Sequence, residues 1–201
     1  MTDYCINLNL DIEPIDGVET LQNCINDSTE YVHYHSTLVL NSKYIVFLLK
    51  LGLVIDHIEI FHSTPNMFTP IHSDIGQVPF TPGDIVKLNY VYGGKDSVMN
   101  WWEPIAGATH TLSPTRNNDE NSPGSIPAGP IIGESHGYKV EDLTWLHSSS
   151  IGHPSIVQVG IPHNVQNREE ERYCLSVVLL KDGKRLTMSD AKAIFAQYII
   201  A

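Results

Sequence analysis

The chain has 201 residues, 42% of them hydrophobic and 17% charged, which supplies the core of one well-buried domain and is short for two. Acidic residues outnumber basic ones 23 to 12, and the net charge of −11 disfavours nucleic acid and anionic membranes, which recruit basic patches. Three cysteines (Cys5, Cys24, Cys174) without a C-x-x-C pair argue against a disulfide framework and a thiolate zinc site.

Residues 1–14 lack the basic and apolar regions of a signal peptide, so none is expected. The longest apolar run, 44–55, is broken by Lys50 and Gly52 and is too short to span a bilayer. The expected setting is therefore cytoplasmic and reducing.

Residues 5–10 alternate apolar and polar and predict a short strand, and 18–25 a short helix after the Asp16-Gly17 turn. A strand is expected around Leu38–Leu40, preceded by His33 and His35, whose H-x-H spacing suits packing better than ligation. Asn41 or Ser42 caps a helix over 44–51, with Gly52 as its stop. This helix is apolar nearly all round and is expected to pack across a sheet.

Residues 54–61 then alternate as an edge-like strand, where His57 and Glu59 suit a cross-strand salt bridge better than a metal. A turn at 80–84 leads into the strand 85–92. Gly93-Gly94-Lys95-Asp96 has hairpin chemistry, because paired glycines accept positive φ, and 97–103 is the returning strand.

From 104 to 137 Gly, Pro, Ser, Thr and Asn dominate, and a long loop insertion is expected, as a lid, a binding loop or a disordered stretch, with His110 and His136 exposed on it. Strands follow at 141–146, 155–161 and 172–180, with a turn at 167–171. The turn Asp182-Gly183 leads to a C-terminal helix capped by Thr187 or Ser189. No repeat or domain boundary interrupts residues 1–201, so a single domain is expected. A succession of short strands and tight turns points to a mainly β sandwich or barrel with a few flanking helices.

Chemistry concentrates in Pro70-Ile71-His72-Ser73-Asp74. On an extended segment His72 and Asp74 face the same side, since strand side chains alternate with period two. His163, on a later strand, supplies a third donor. Two imidazoles and one carboxylate suit iron(II) or a similar divalent ion and leave positions open for other ligands. Arg172 opens an apolar strand, a costly place for a guanidinium unless an anion pairs with it. Arg172, Cys174 and Ser176 share a face, and bidentate recognition of a carboxylate by Arg172 with a hydroxyl contact from Ser176 follows from that placement. Asn89, with Lys87 and Val91, faces either the interior or the outside. Trp101, Trp102 and Tyr90 suit core packing better than a substrate pocket, and His62 suits a structural role.

His72-Ser73-Asp74, His163-Asn164-Val165-Gln166-Asn167 and Arg172-Tyr173-Cys174-Leu175-Ser176 together resemble the iron(II)/2-oxoglutarate-dependent dioxygenases of the double-stranded β-helix (jelly-roll, cupin-like) fold. The resemblance covers about 45–180. Residues 87–103 also resemble small members, including ones carried by bacteriophages.

It implies that His72, Asp74 and His163 bind Fe(II) and that Arg172 binds the distal carboxylate of 2-oxoglutarate. It also implies that O2 is consumed with release of succinate and CO2 as a substrate is hydroxylated. Asp74 fills the position that a halogenase leaves open. Cys174 stands where many relatives carry Ser, which makes Ser176 the alternative cosubstrate contact. An amino acid, a peptide side chain and a small metabolite all remain open as substrates. The competing readings are a catalytically silent cupin-like binding module and a metal-dependent hydrolase.

Overall fold

The computed structural model describes residues 4–25, 31–34, 39–75, 84–115, 133–152 and 154–200. It is mainly β, with two antiparallel sheets. The larger contains β1 (Cys5–Asn7), β10 (Ser155–Gln158), β5 (Val86–Gly93), β12 (Arg172–Lys181), β3 (Val54–Ser63) and β2 (Tyr31–Tyr34), in that spatial order, with the short β13 (Lys184–Arg185) paired to β12. The smaller runs β7 (His110–Thr115), β8 (Gly133–Tyr138), β4 (His72–Ile75), β11 (His163–Gln166), β6 (Val98–Pro104) and β9 (Leu143–Ser149).

From β3 to β6 each successive strand changes sheet, and from β9 to β12 it does so again. Sequence neighbours are therefore seldom sheet neighbours. The Gly93–Asp96 segment shows the consequence. Gly93, Gly94 and Asp96 all take positive φ as expected, but the turn does not close a hairpin. It carries the chain from β5 in one sheet to β6 in the other. Turn chemistry reports a reversal of direction and not which strand becomes the partner.

Period-two alternation divides the larger sheet into two unlike faces. Ile58 and Ile60 on β3, Leu88 and Tyr90 on β5, and Leu175, Val177 and Leu179 on β12 face outward into the main core. The helices α1 (Val18–Cys24), α2 (Ser42–Lys50) and α3 (Met188–Ile194) cover them through Leu21, Tyr44, Leu48, Met188 and Ala191, with Phe195 just beyond α3. Helix α2 follows Asn41, and Gly52 accepts the positive φ needed just past its end. It is not covered on every side as its composition implies: Tyr44 and Leu48, one turn apart, are buried, whereas Val46 and Leu49 are exposed. In α3 the Thr187 hydroxyl accepts from the Asp190 amide at 3.1 Å, satisfying one of the free N–H groups of the first turn.

Three further expectations are corrected. Val39 and Leu40 form no strand; the strand in that region is β2, and residues 35–38 lie outside the described residues. Strand β3 is not an edge, because it pairs with β12 on one side and β2 on the other. The segment 104–137 is not loop throughout. Strand β6 reaches Pro104, and β7 and β8 pair across six residues, with β8 also pairing to β4. Ladder bonds are made by the backbone, so a polar composition without periodicity can still form strands at a sheet margin. The turn expected at 80–84 lies largely outside the described residues, as do 116–132. Among the described residues no helix is long and apolar enough to cross a membrane.

Phe195 is fully buried in the main core and Leu49 is 55% exposed. Phe195→Ala is expected to cost about 3–5 kcal/mol in urea unfolding, and Leu49→Ala less than about 0.5 kcal/mol. Equal losses would contradict this placement of the core.

Candidate metal centre

The inner face of the larger sheet is polar. Glu59 on β3, Lys87 and Asn89 on β5, and Arg172 and Ser176 on β12 are each at most 8% exposed. Together with His72, Asp74 and His163 from the smaller sheet, Lys87, Asn89, Arg172, Cys174 and Ser176 line a cavity of about 260 Å³. Apolar side chains including Phe61, Met67, Met99 and Val165 complete the wall.

His72 and His163 are brought together by the ladder between β4 and β11, in which they are direct register partners. Their ring centroids lie 4.6 Å apart. Asp74, on the same strand face as His72, places Oδ1 3.5 Å from His72 Nε2. One ligand atom from each of the three residues lies within 4.8 Å of the others, so this group can bind a metal ion.

The ring tautomers favour it. His72 Nδ1 lies 2.9 Å from the Pro70 carbonyl oxygen, and His163 Nδ1 lies 2.9 Å from that of Ile161. A carbonyl only accepts, so each Nδ1 carries the proton and donates it, leaving an Nε2 lone pair for a ligand role.

Charge supports the same arrangement. Burial, reinforced by neighbouring His72, lowers the His163 pKa to about 4 and keeps the ring neutral. Burial alone would raise the Asp74 carboxyl, but Lys87 and then the two imidazoles hold it below its ordinary value. Burial would likewise discharge Lys87; Asp74 and Glu59 outweigh it and raise the ammonium pKa. Glu59 is pulled well below the ordinary carboxylate range against its burial, chiefly by Lys87.

Arg172 lines the same cavity and is 4% exposed. Its Nε has no hydrogen-bond partner, and no carboxylate among the described residues pairs with it. Burial pushes the Cys174 thiol pKa up despite the neighbouring guanidinium, so Cys174 supplies no counter-charge. A buried guanidinium in this state calls for an anion.

Two residues seat it. Asn167 Nδ2 reaches the carbonyls of Ser63, Thr64 and Glu170 at 2.7–3.0 Å and fixes the turn before β12. Gly94, with φ 64°, lies against the Arg172 stem, where an added Cβ would come within 2.6 Å of Cγ. Asn89 faces inward, and its Oδ1 accepts the Ser176 hydroxyl at 2.7 Å.

Other candidates fall elsewhere. Trp101 and Tyr90 are fully buried, and neither they nor Trp102 line the cavity. His62 does line it, stacked on Tyr173 at 4.6 Å. His110 is exposed on β7, and the His136 side chain and His35 lie outside the described residues. His57 and Glu59 do form an ion pair, 3.4 Å apart along one strand, but the stronger partner of Glu59 is Lys87, reached across β12. Sequence reasoning missed the role of Lys87. Its signal was a lysine inside the apolar run Ile85-Val86-Lys87-Leu88, which can be stable only with partners.

Two outcomes follow. The unfolded chain takes up the His163 proton near pH 6.5, whereas the folded protein resists until about pH 4. Stability from this group is therefore full above pH 6.5 and lost as pH falls to 4, about 3 kcal/mol in all. Denaturant unfolding of metal-free protein should show that slope, and His163→Gln should flatten it. Gly183 shares a positive φ but has open space around it. Gly94→Ala should therefore cost about 1–3 kcal/mol more than Gly183→Ala, the difference being the clash with Arg172.

Compared with family models and with curated proteins the chain matches none, so the reading of this centre rests on its own chemistry.

Proposed function

We propose that the protein is an Fe(II)/2-oxoglutarate-dependent dioxygenase that hydroxylates an amino acid, a peptide side chain or a small metabolite. The observation that carries this reading is that one cavity holds both a two-His-one-carboxylate group and a buried guanidinium that no carboxylate among the described residues pairs with. A silent binding module needs neither in combination, and a hydrolase leaves Arg172 without a purpose unless its substrate is anionic.

The strand order supports a double-stranded β-helix. Four strands of the larger sheet (β10, β5, β12, β3) face four of the smaller (β4, β11, β6, β9), with the chain crossing between them. We read this strand order as support for the jelly roll that the motifs imply.

On this reading His72, Asp74 and His163 hold the iron through neutral imidazoles and an ionised carboxylate. Arg172 holds the distal carboxylate of 2-oxoglutarate bidentately. Ser176, whose hydroxyl already donates to Asn89, offers its lone pairs to a donor and not a proton to the cosubstrate. Asn89 is then the better hydrogen-bond donor to a bound carboxylate or substrate. Phe61, Met67 and Val165 keep the chamber apolar between its charged ends. Iron with the cosubstrate and O2 supplies oxidative decarboxylation to succinate and CO2 coupled to insertion of one oxygen atom into a substrate C–H bond.

The test is anaerobic loading with Fe(II) followed by 2-oxoglutarate, monitored by visible absorption. A weak charge-transfer band should appear, vanish in His72→Ala and weaken in Arg172→Ala, and succinate should form on admitting air. Zinc bound more tightly than iron, with no band and no succinate, would overturn the oxygenase in favour of the hydrolase or the silent module.

A further inference from the structure

Lys87 sits in the middle of an apolar strand with its side chain 5% exposed, and it is gripped from two sides. Glu59 Oε2 holds it from β3 and Asp74 Oδ2 from β4. Both carboxylates divide their oxygens. Glu59 gives Oε2 to Lys87 and turns Oε1 towards His57 Nε2 at 3.4 Å. Asp74 gives Oδ2 to Lys87, while Oδ1 lies on the imidazole side, 3.5 Å from His72 Nε2. The brace continues outward: His57 Nδ1 lies 2.8 Å from Asp56 Oδ2, which also meets Arg185 at 3.5 Å. Glu59 is thereby held against rotation, and Lys87 with it.

We propose that Lys87, braced by Glu59, is a positioning residue of the metal centre that takes up Oδ2 of Asp74 and leaves Oδ1 as its single carboxylate donor. The inference rests on the metal reading above and adds a physical cause for the number of protein donors. A free aspartate can bind an ion through one oxygen or both. With Oδ2 engaged by an ammonium, the second mode is closed, and the ion receives three protein atoms with its other positions left for small ligands.

The same contacts exclude a second anion-binding role for Lys87. Its charge is already shared between two carboxylates, whereas Arg172 in the same cavity has none among the described residues. The two cations thus divide the work: one shapes the ion's protein ligand, and the other is left for an anion that enters.

Cobalt(II) titrated into the metal-free full-length protein provides the probe, because its d–d absorption reports donor number independently of turnover. The variant is Lys87→Met with Glu59→Gln, which removes one positive and one negative charge together and leaves the net charge unchanged. Cobalt should bind about 10–100-fold more weakly, with a shifted and less intense d–d band, as a second carboxylate oxygen joins the ion. Near-UV circular dichroism should match the parent.

A band and affinity equal to the parent's would overturn the proposal and leave the metal site standing. A parent that binds no cobalt, or a His163→Ala variant that binds it equally well, would remove the metal reading and this inference together. Should the double variant lose its near-UV signal, Glu59→Gln alone decides. A smaller band shift in the same direction supports the brace, and an unshifted band overturns it.

Discussion

A β-sheet can carry charges on its inner face only if its other face buries enough apolar surface to compensate. The larger sheet meets that constraint through period-two alternation. On β12 the odd positions Leu175, Val177 and Leu179 join the helix-covered core, and the even positions Arg172, Cys174 and Ser176 line the cavity. Strand β5 repeats the pattern with Leu88 and Tyr90 outward, Lys87 and Asn89 inward. A slip of one residue in either strand would exchange the two sets, placing charges under the helices and leucines in the cavity. Register is therefore fixed by stability and by site chemistry together, and the three helices stabilise the centre without touching it.

The smaller sheet solves a different problem. Its ladders bring β4 and β11, strands far apart in sequence, into direct pairing, which makes His72 and His163 neighbours. The backbone then aims them: each imidazole donates Nδ1–H to a carbonyl two residues earlier on its own chain segment. Ligand direction here is a local property of two short segments, while ligand proximity is a property of the whole topology. The two can be disturbed separately. A change in the Pro70 or Ile161 backbone would rotate a ring without separating the strands.

This division explains which parts of the protein are legible in its sequence. Alternation and turn residues disclose α2, β3, β5, β6 and β12 nearly to their ends, and the start of α3 but not its stop at Ile194, because those signals are local. The His72, Asp74, His163 and Arg172 set is legible because each is an expensive residue in an otherwise strand-like context. Partner choice is not local. Gly93-Gly94 looks like a hairpin and is a crossing between sheets, and β3 looks like an edge and is interior. Strands β7 and β8 leave no pattern at all, since the polar surface of a sheet margin imposes none. Lys87 and Glu59 fall between these cases. Each is visible as a charge in an apolar strand, but their pairing across the intervening β12 becomes evident only once the strand order is known.

Burial then separates the cavity's two cations by the company each keeps. Lys87 was affordable inside because Glu59 and Asp74 enter with it, forming a set whose members hold each other ionised. Replacing such a set by apolar residues is often neutral for stability, so stability alone does not account for it. Arg172 has no such set among the described residues, only a protonated thiol and a glycine against its stem. Among the described residues no carboxylate offsets the cost of its burial, and its Nε has no hydrogen-bond partner. An anion entering the cavity would relieve that cost, and the relief would appear as binding energy for the anion and as added stability for the fold. On the proposed reading, a preference for a negatively charged ligand would follow from the solvation cost at this one guanidinium, beside the candidate metal centre.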